Sequence, residues 1–586
     1  MNDTTSTIVH EAPVAAAPSD LVWGSDAMAA VLRALDLPYI ALNPGASYRG
    51  LHDSLVNYLG NRAPQMILCL HDEHAVSMAQ GYCKASGRMM AAALHSNVGL
   101  MHATMPIFNA WCDRTPVLIV GATGAWDATK RWPWIEWIHT CSDQGQLIRN
   151  YTKWDNQPGS VTAAAEALLR AAQIAQTAPC GPVYVNLDVG LQEQRLETLP
   201  PLPDVARYAP PEPARPSPAL VAEAARLLAQ AKNPVMLAGR CSRSLEAWNA
   251  RIALAEKLDI PVLTNIKVAA AFPTDHPLHA APPANRPSDE AKKIITGADV
   301  ILSLDWLDLG GTLKQAFGDA PVKAKVIQVS CDAHSHRGWS MDYHVLPPVD
   351  LYLMCDPDAA VPMLLETVAP RGAGAGKEKP KRALSLPDAA AKGGLTLAGV
   401  GHALEAATGR IERCITRLPL GWNGAYSHFR HPLDYIGPDG GGGVGAGPGI
   451  TVGAGLALKG SGRMAIGLCG DGDFLMGNTA VWTAAHYGIP CLFIVCNNRS
   501  YFNDELHQEH MAVARKRPPE NRWIGQRISE PDIDIAAMAR AQGANAIGPV
   551  TSVEAMHDAM KQAVETVQAG GVCVIDARVA PGYDAD

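Results

Sequence analysis

Two short polar motifs, Gly470-Asp471-Gly472 and Asn497-Asn498, sit 27 positions apart as counted from Asp471 to Asn498. Each follows an apolar run, "RMAIGLC" and "IPCLFIVC", and the intervening "FLMGNTAVWTAAHYG" reads as a helix ending at Gly488. In a strand-helix-strand unit of a parallel sheet, both motifs fall at carboxyl strand ends, where such sheets bind ligands. Asp471 then offers a carboxylate oxygen, Asn498 an amide oxygen and Ser500 a backbone carbonyl. Three hard oxygens with no His or Cys suit Mg²⁺, which completes its shell with water and phosphate. Gly470 and Gly472 permit a tight turn whose amides approach an anion, and a helix N-terminus favours that anion. The chemistry implied is a Mg²⁺-diphosphate clamp. Gly-Asp-Gly alone is equally an ordinary strand-turn-helix, so the weight rests on the spacing.

The elements that must position this clamp are legible as alternating apolar runs and helical patterns. "MILCL", "MMAAAL", "PVLIVGA" and "GPVYVNL" mark the first third of the chain. "NPVMLAG", "IPVLT", "ADVILSL" and "AKVIQVS" mark the second; the third repeats the pattern. Continuous apolar strands between amphipathic helices mean parallel sheets covered on both faces. Two stretches rich in Pro, Gly and charge, 192–217 and 371–394, read as linkers. The expectation is α/β: three consecutive parallel-sheet domains at 20–191, 215–370 and 395–586. The 48% apolar and 18% charged content fits a globular chain, and the net charge of −8 argues against nucleic acid as a partner. Thirteen cysteines without a CxxC pair suit a reducing compartment. With no signal-peptide pattern and no apolar run long enough to span a bilayer, the expected location is cytoplasmic and no membrane partner is expected.

Three segments of the first third, "NPGASYRGLHDSL", "CLHDEHAVSMAQGYCKASGR" and "ALHSNVGLMHATMPIFNAWCDRTPVLIVGATG", supply the other half of a cofactor site. Together with the Gly-Asp-Gly and Asn-Asn motifs they resemble thiamine diphosphate (ThDP) enzymes. The family is the one that includes acetolactate synthase, benzoylformate decarboxylase and benzaldehyde lyase. The resemblance covers nearly the whole chain, in the order pyrimidine-binding (PYR), central Rossmann-like and diphosphate-binding (PP) domain. It implies ThDP and Mg²⁺ as cofactors, with Asp471, Asn498 and the Ser500 carbonyl on the metal. It also implies a relay carboxylate near the pyrimidine ring, nine residues before the glycine of a Gly-Tyr pair. Counting back from Gly81 lands on Asp72 where the family has glutamate, and Glu73 is next. Register favours Asp72 and reach favours Glu73.

The same frame assigns the remaining candidates. In "PDGGGGVGAGPGI", 438–450, the Gly442 carbonyl is expected to meet the aminopyrimidine and Val444 to wedge the bent cofactor. Gly470, Gly472 and Tyr501 complete the cofactor contacts. Asp473 stands where relatives carry a phosphate-binding serine, so its carboxylate is expected to turn away or cap a helix. His95 falls where benzoylformate decarboxylase has a proton-transfer histidine, and His71 precedes the relay acid. Ala46 matches benzaldehyde lyase rather than the decarboxylase, and Asn503 and His507 put polar groups at the acceptor pocket. His74 and His102 fall on helices and are set aside, and no zinc pattern fits the four histidines. "ARKRPPENRW", 514–523, reads as a solvated loop and "RWPWIEWIH", 131–139, as core or subunit contact. FAD is left open because the central segment lacks a clear GxGxxG.

The resemblance therefore implies a lyase or carboligase acting on a 2-oxo acid or 2-hydroxy ketone through an acyl-carbanion equivalent. The partner is a small carbonyl substrate, and the assembly a homodimer or homotetramer with sites shared between subunits. Alternatives are an acetolactate synthase-type carboligase, a 2-hydroxyacyl-CoA lyase, and a homologue that binds ThDP without turnover.

Overall fold

The structure, a computed structural model, describes residues 11–15, 20–334, 345–371 and 394–582. The linker expected at 371–394 lies almost wholly outside the described residues. The apolar runs form three parallel sheets. The first has the strand order Gln65–Leu68, Tyr39–Leu42, Met90–Leu94, Val117–Thr123, Val183–Asp188, Trp154–Asn156. Every residue of Met90–Leu94 and Val117–Thr123 is buried, as expected for strands covered by helices on both faces. The second sheet runs Val262–Leu263, Pro234–Ala238, Val300–Leu304, Lys325–Val329, Leu351–Leu353. The third runs Arg413–Arg417, Met464–Gly470, Cys491–Asn497, Val572–Arg578, Asn545–Val550. The start of the expected 192–217 linker is not free: Arg195–Leu196 pairs antiparallel with Val22–Trp23.

Two helices join the first sheet to the third. Asp72–Ser86 and Ala446–Leu458 cross with almost no side chain between them. A Cβ on Gly81 would stand 2.1 Å from the Ile450 carbonyl oxygen, and one on Gly453 1.9 Å from that of Met78. Each helix thus presents a glycine to the other's backbone. The flanks are polar and specific. Lys84 is fully buried with its Nζ 2.6 Å from Asp113, and it also donates to the Pro438 carbonyl. Gln80 donates to the Asp439 carbonyl at 2.7 Å, and His74 Nε2 lies 2.7 Å from Thr479 Oγ1. One apolar core runs continuously through both layers, from Ile67 and Val76 to Ile450 and Phe493.

Gly453→Ala adds a methyl where no space exists and forces the helices apart. Overpacking of this kind costs about 1–3 kcal/mol. The denaturant midpoint is expected to fall with no change in slope; an unchanged midpoint would show that the crossing yields freely.

Candidate functional site

Asp471 opens a short helix directly after the Met464–Gly470 strand and is buried. Its Oδ1 accepts from the Gly472 N–H at 2.8 Å and its Oδ2 from the Ser500 N–H at 3.1 Å. The same Ser500 N–H reaches Asn498 Oδ1 at 3.0 Å, so the carboxylate and the amide oxygen converge from adjacent strands. Asn497 turns the other way, donating to Asp576 Oδ1 at 2.8 Å. Burial pushes the Asp471 carboxyl up to about 6 against the opposing amides, a cost that a bound cation offsets. Gly470 has open space where a Cβ would stand, while the Tyr501 ring packs against Gly472. These residues line a cavity of about 360 Å³ together with Gly442, Val444 and Asn503. A carboxylate, an amide oxygen and an open glycine turn on one cavity wall fit a Mg²⁺-diphosphate group. His507 lies one helical turn beyond Asn503 and hydrogen-bonds to it at 3.0 Å.

The glycine run is held rigidly from behind. Gly442 and Gly445 have φ of +76° and +109°, the left-handed region that favours glycine. The Gly442 N–H donates to Asp439 Oδ1 at 2.6 Å and the Gly445 N–H to Asp473 Oδ1 at 2.7 Å. Arg417 lies between the two acids, 2.9 Å from Asp473 Oδ2 and paired with Asp439. Burial opposes its charge, but the two carboxylates prevail and raise its pKa. Asp473 thus supports the glycine run, as a carboxylate turned to a helix start was expected to do. Both its oxygens are engaged, and it caps the residue opening the neighbouring helix. Arg417 and Asp439 form no motif in the sequence, because they meet from positions 22 apart with a largely irregular segment between them. Lys267 and Asn285, which bring the central layer to the cavity wall, were likewise missed.

The N-terminal candidates gather at three adjacent strand ends. The order Gln65–Leu68, Tyr39–Leu42, Met90–Leu94 reverses chain direction of progress at Tyr39–Leu42, a topological switch point. Beyond these strands stand Asp72, Ser47 with Tyr48, and His95. Asp72 is buried; its Oδ2 lies 3.3 Å from His102 Nδ1, and its Oδ1 has no hydrogen-bond partner among the described residues. Burial raises its pKa and His102 opposes the rise. Glu73 points elsewhere: its Oε1 lies beside Gly445, and burial with the Asp473 charge pushes it up to about 7. His71 caps the helix, its Nδ1 accepting from the Glu73 N–H at 3.1 Å, and stacks on His102 at 4.9 Å. His102, set aside by the sequence reading, thus touches the relay candidate directly.

His95 lies 2.9 Å from Ser47 Oγ through Nδ1, and burial with a nearby His139 holds its pKa down at about 4. A Cβ on Gly45 would fall 2.1 Å from the His95 ring, so glycine is required there. Ala46 is exposed and borders a separate surface hollow with Arg49 and His52. None of the N-terminal candidates lines the 360 Å³ cavity. Within one chain the two groups form separate half-sites. At the carboxyl ends of the central sheet, Arg240 pairs with Asp332 at 2.8 Å and Arg114 with Asp305 at 2.8 Å. A Cβ on Gly239 would stand 2.2 Å from the Asp305 carbonyl oxygen.

Arg417→Met leaves Asp439 and Asp473 buried without their cation. Removing one partner of a buried pair costs about 3–5 kcal/mol, expected as a lowered unfolding midpoint that Asp473→Asn partly restores in the double variant.

The chain matches three family models in order. They are the N-terminal TPP binding domain of thiamine pyrophosphate enzymes at 22–147, the central domain at 221–355, and the C-terminal TPP binding domain at 420–577. Among curated relatives it is 28% identical to benzoylformate decarboxylase of Pseudomonas aeruginosa, over 85% of this chain and 89% of the relative. It is 25% identical to sulfoacetaldehyde acetyltransferase of Rhodobacter capsulatus, over 87% of each chain. A probable acetolactate synthase large subunit of Methanocaldococcus jannaschii is 23% identical over 92% of this chain and 90% of the relative. The fold superposes on a benzoylformate decarboxylase from Polynucleobacter necessarius with TM-score 0.79 and 22% identity, covering 96% of this chain and 100% of that one. Among the described residues no helix is long and apolar enough to cross a membrane. With three ThDP-enzyme domains in sequence, one falling on each of the three parallel sheets, the chain belongs to the thiamine diphosphate-dependent enzymes of the decarboxylase and acetolactate synthase family.

Proposed function

We propose that this enzyme is a ThDP- and Mg²⁺-dependent lyase that releases CO₂ from a 2-oxo acid in the manner of benzoylformate decarboxylase. The observation that carries the reading is the placement of His95 and Asp72 beyond the two strands that flank Tyr39–Leu42, on either side of one switch point. When bound, ThDP supplies the carbon nucleophile and the electron sink. The chain's own residues hold and surround it. Asp471, the Asn498 side chain and the Ser500 carbonyl would hold Mg²⁺, and the open turn at Gly470, where no side chain intrudes, would admit the diphosphate. The Gly442–Gly445 backbone and Val444 face the aminopyrimidine, with Tyr501 and Asn503 on the adjoining wall. Asp72 holds a proton at the pyrimidine, suited to that by a carboxyl that burial keeps from ionising readily. Its unpartnered Oδ1 supports this assignment over Glu73, which faces Gly445 of its own chain.

The separation of the half-sites supports a site completed between two copies of the chain, so that a homodimer is the minimal active unit. A second reading, cleavage or formation of a 2-hydroxy ketone, is favoured by Ala46, which offers no hydroxyl to a substrate carboxylate. Release of CO₂ from benzoylformate, pyruvate and related acids separates the two readings: cofactor-dependent release supports the first, and silence with activity on 2-hydroxy ketones supports the second.

Adding ThDP with Mg²⁺ is expected to stabilise the wild type by about 2.7 kcal/mol at 100 times Kd. In Asp471→Ala the thermal midpoint should not respond. A full response in that variant would place the metal elsewhere.

Alanine at Asp72 is expected to lower turnover by about 100-fold or more, the usual scale of a lost proton-transfer group. Glu73→Ala should retain most of it. The opposite result assigns the proton to Glu73, and full turnover in both variants defeats the mechanism.

A further inference from the structure

The segment 131–139 was expected in the core or at a subunit contact. Within the chain its tryptophans stay outside: Trp132, Trp134 and Trp137 are 60%, 79% and 74% exposed. Its last residue nonetheless enters the N-terminal half-site. The His139 ring meets His95 edge to face, with centroids 4.5 Å apart and planes at 77°. Three hydrogen bonds anchor the segment there. The His139 carbonyl accepts from Ser96 Oγ at 3.1 Å and from the Gly124 N–H at 3.2 Å. The Ile138 carbonyl accepts from Asn97 Nδ2 at 3.2 Å. Ser96, which follows His95 directly, is buried and has φ of +51°, a conformation unfavourable for a residue with a Cβ. Such outliers cluster where surrounding structure over-determines a site. The residue strained here joins His95 to the His139 segment, its hydroxyl shared between Asn97 Oδ1 at 2.6 Å and the His139 carbonyl.

The hydrogen bonds of His95 also fix its proton. The Ser47 N–H points at Nδ1 across a long 3.5 Å, and Ser47 Oγ lies 2.9 Å from the same nitrogen. A backbone N–H can only donate, so this contact favours the lone pair on Nδ1 and the ring proton on Nε2, an arrangement in which the Ser47 hydroxyl also donates. Protonating Nδ1 would set it against the Ser47 N–H, and both burial and the neighbouring His139 disfavour a charge on the His95 ring. Other charged groups stand on the surrounding elements. Arg49, after Ser47, lies 3.7 Å from Glu136 and pairs with Glu193, while His102, at the far end of the helix after His95, pairs with Asp72.

We propose that His139 is a positioning residue for His95: it fixes the ring and keeps it as the neutral Nε2–H donor, so that the two imidazoles act as one unit on the substrate side. This rests on reading His95 as the proton-handling group of the proposed reaction, but its test needs no substrate. Diethyl pyrocarbonate acylates only neutral imidazole, and peptide mass spectrometry reads His95 apart from the other histidines. The rate at His95 against pH gives its titration midpoint.

His139→Phe keeps the edge-to-face ring and removes the imidazole nitrogens. It is expected to raise the His95 midpoint by about one pH unit. His139→Lys, which keeps a positive charge, should hold the midpoint at or below the wild-type value. Circular dichroism checks that each variant is folded, and His139→Gln replaces the phenylalanine variant if that one is not. A His95 midpoint unchanged in the uncharged variant, or raised equally by Phe and Lys, overturns the proposal. If the midpoint shifts as expected but His95→Gln leaves CO₂ release intact, the pairing stands and the decarboxylase reading of His95 falls.

Discussion

The crossing of the Asp72–Ser86 and Ala446–Leu458 helices is the constraint from which the rest of the chemistry takes its position. Each helix starts at a chemically active point: one at Asp72, the other just after the glycine run. Because glycine meets carbonyl on both sides of the crossing, neither helix can slide by a residue without driving a Cβ into backbone. The helix starts, and everything fixed to them, are therefore set relative to one another. Glu73 reaches Gly445 only because of this registration. The buried Lys84 and Gln80, bound to the carbonyls of Pro438 and Asp439, transmit it into the loop that leads to Gly442.

Charge is handled by the same logic of backing each active group with a buried neighbour. Arg417 neutralises Asp439 and Asp473, and those acids in turn hold two amides of the glycine run. The loop is consequently stiff although it is rich in glycine. The glycines serve left-handed turns and close approach, and three carboxylate and guanidinium groups remove the freedom they would otherwise give. On the other half-site the backing is by imidazole: His102 behind Asp72, His139 beside His95.

How much of this could be read in the sequence depended on range. Gly470-Asp471-Gly472 and Asn498 were legible because the chemistry follows from residue types at two strand ends in one strand-helix-strand unit. The three parallel sheets were legible because strands buried on both faces are apolar throughout. The choice between Asp72 and Glu73 was not, since adjacent residues on a helix diverge by about 100° and only the packing says which way each faces. The support from Arg417 was invisible because an arginine ending the strand "RCITR" has no local partner. His139 was hidden inside a segment whose tryptophans drew attention to burial, although its own ring has the chemical role. Ala46 was assigned to a pocket by family position, and the structure places it on a different surface from the Asn503 wall.

The short ladder between Val22–Trp23 and Arg195–Leu196 brings the entry and exit of the first layer to neighbouring points. A unit whose two chain ends meet can be cut out or inserted into another chain without stretching its interior. The clasp closes only the path of the chain: the core behind it is shared with the third layer, so the layer is a cassette in its connections and not in its packing.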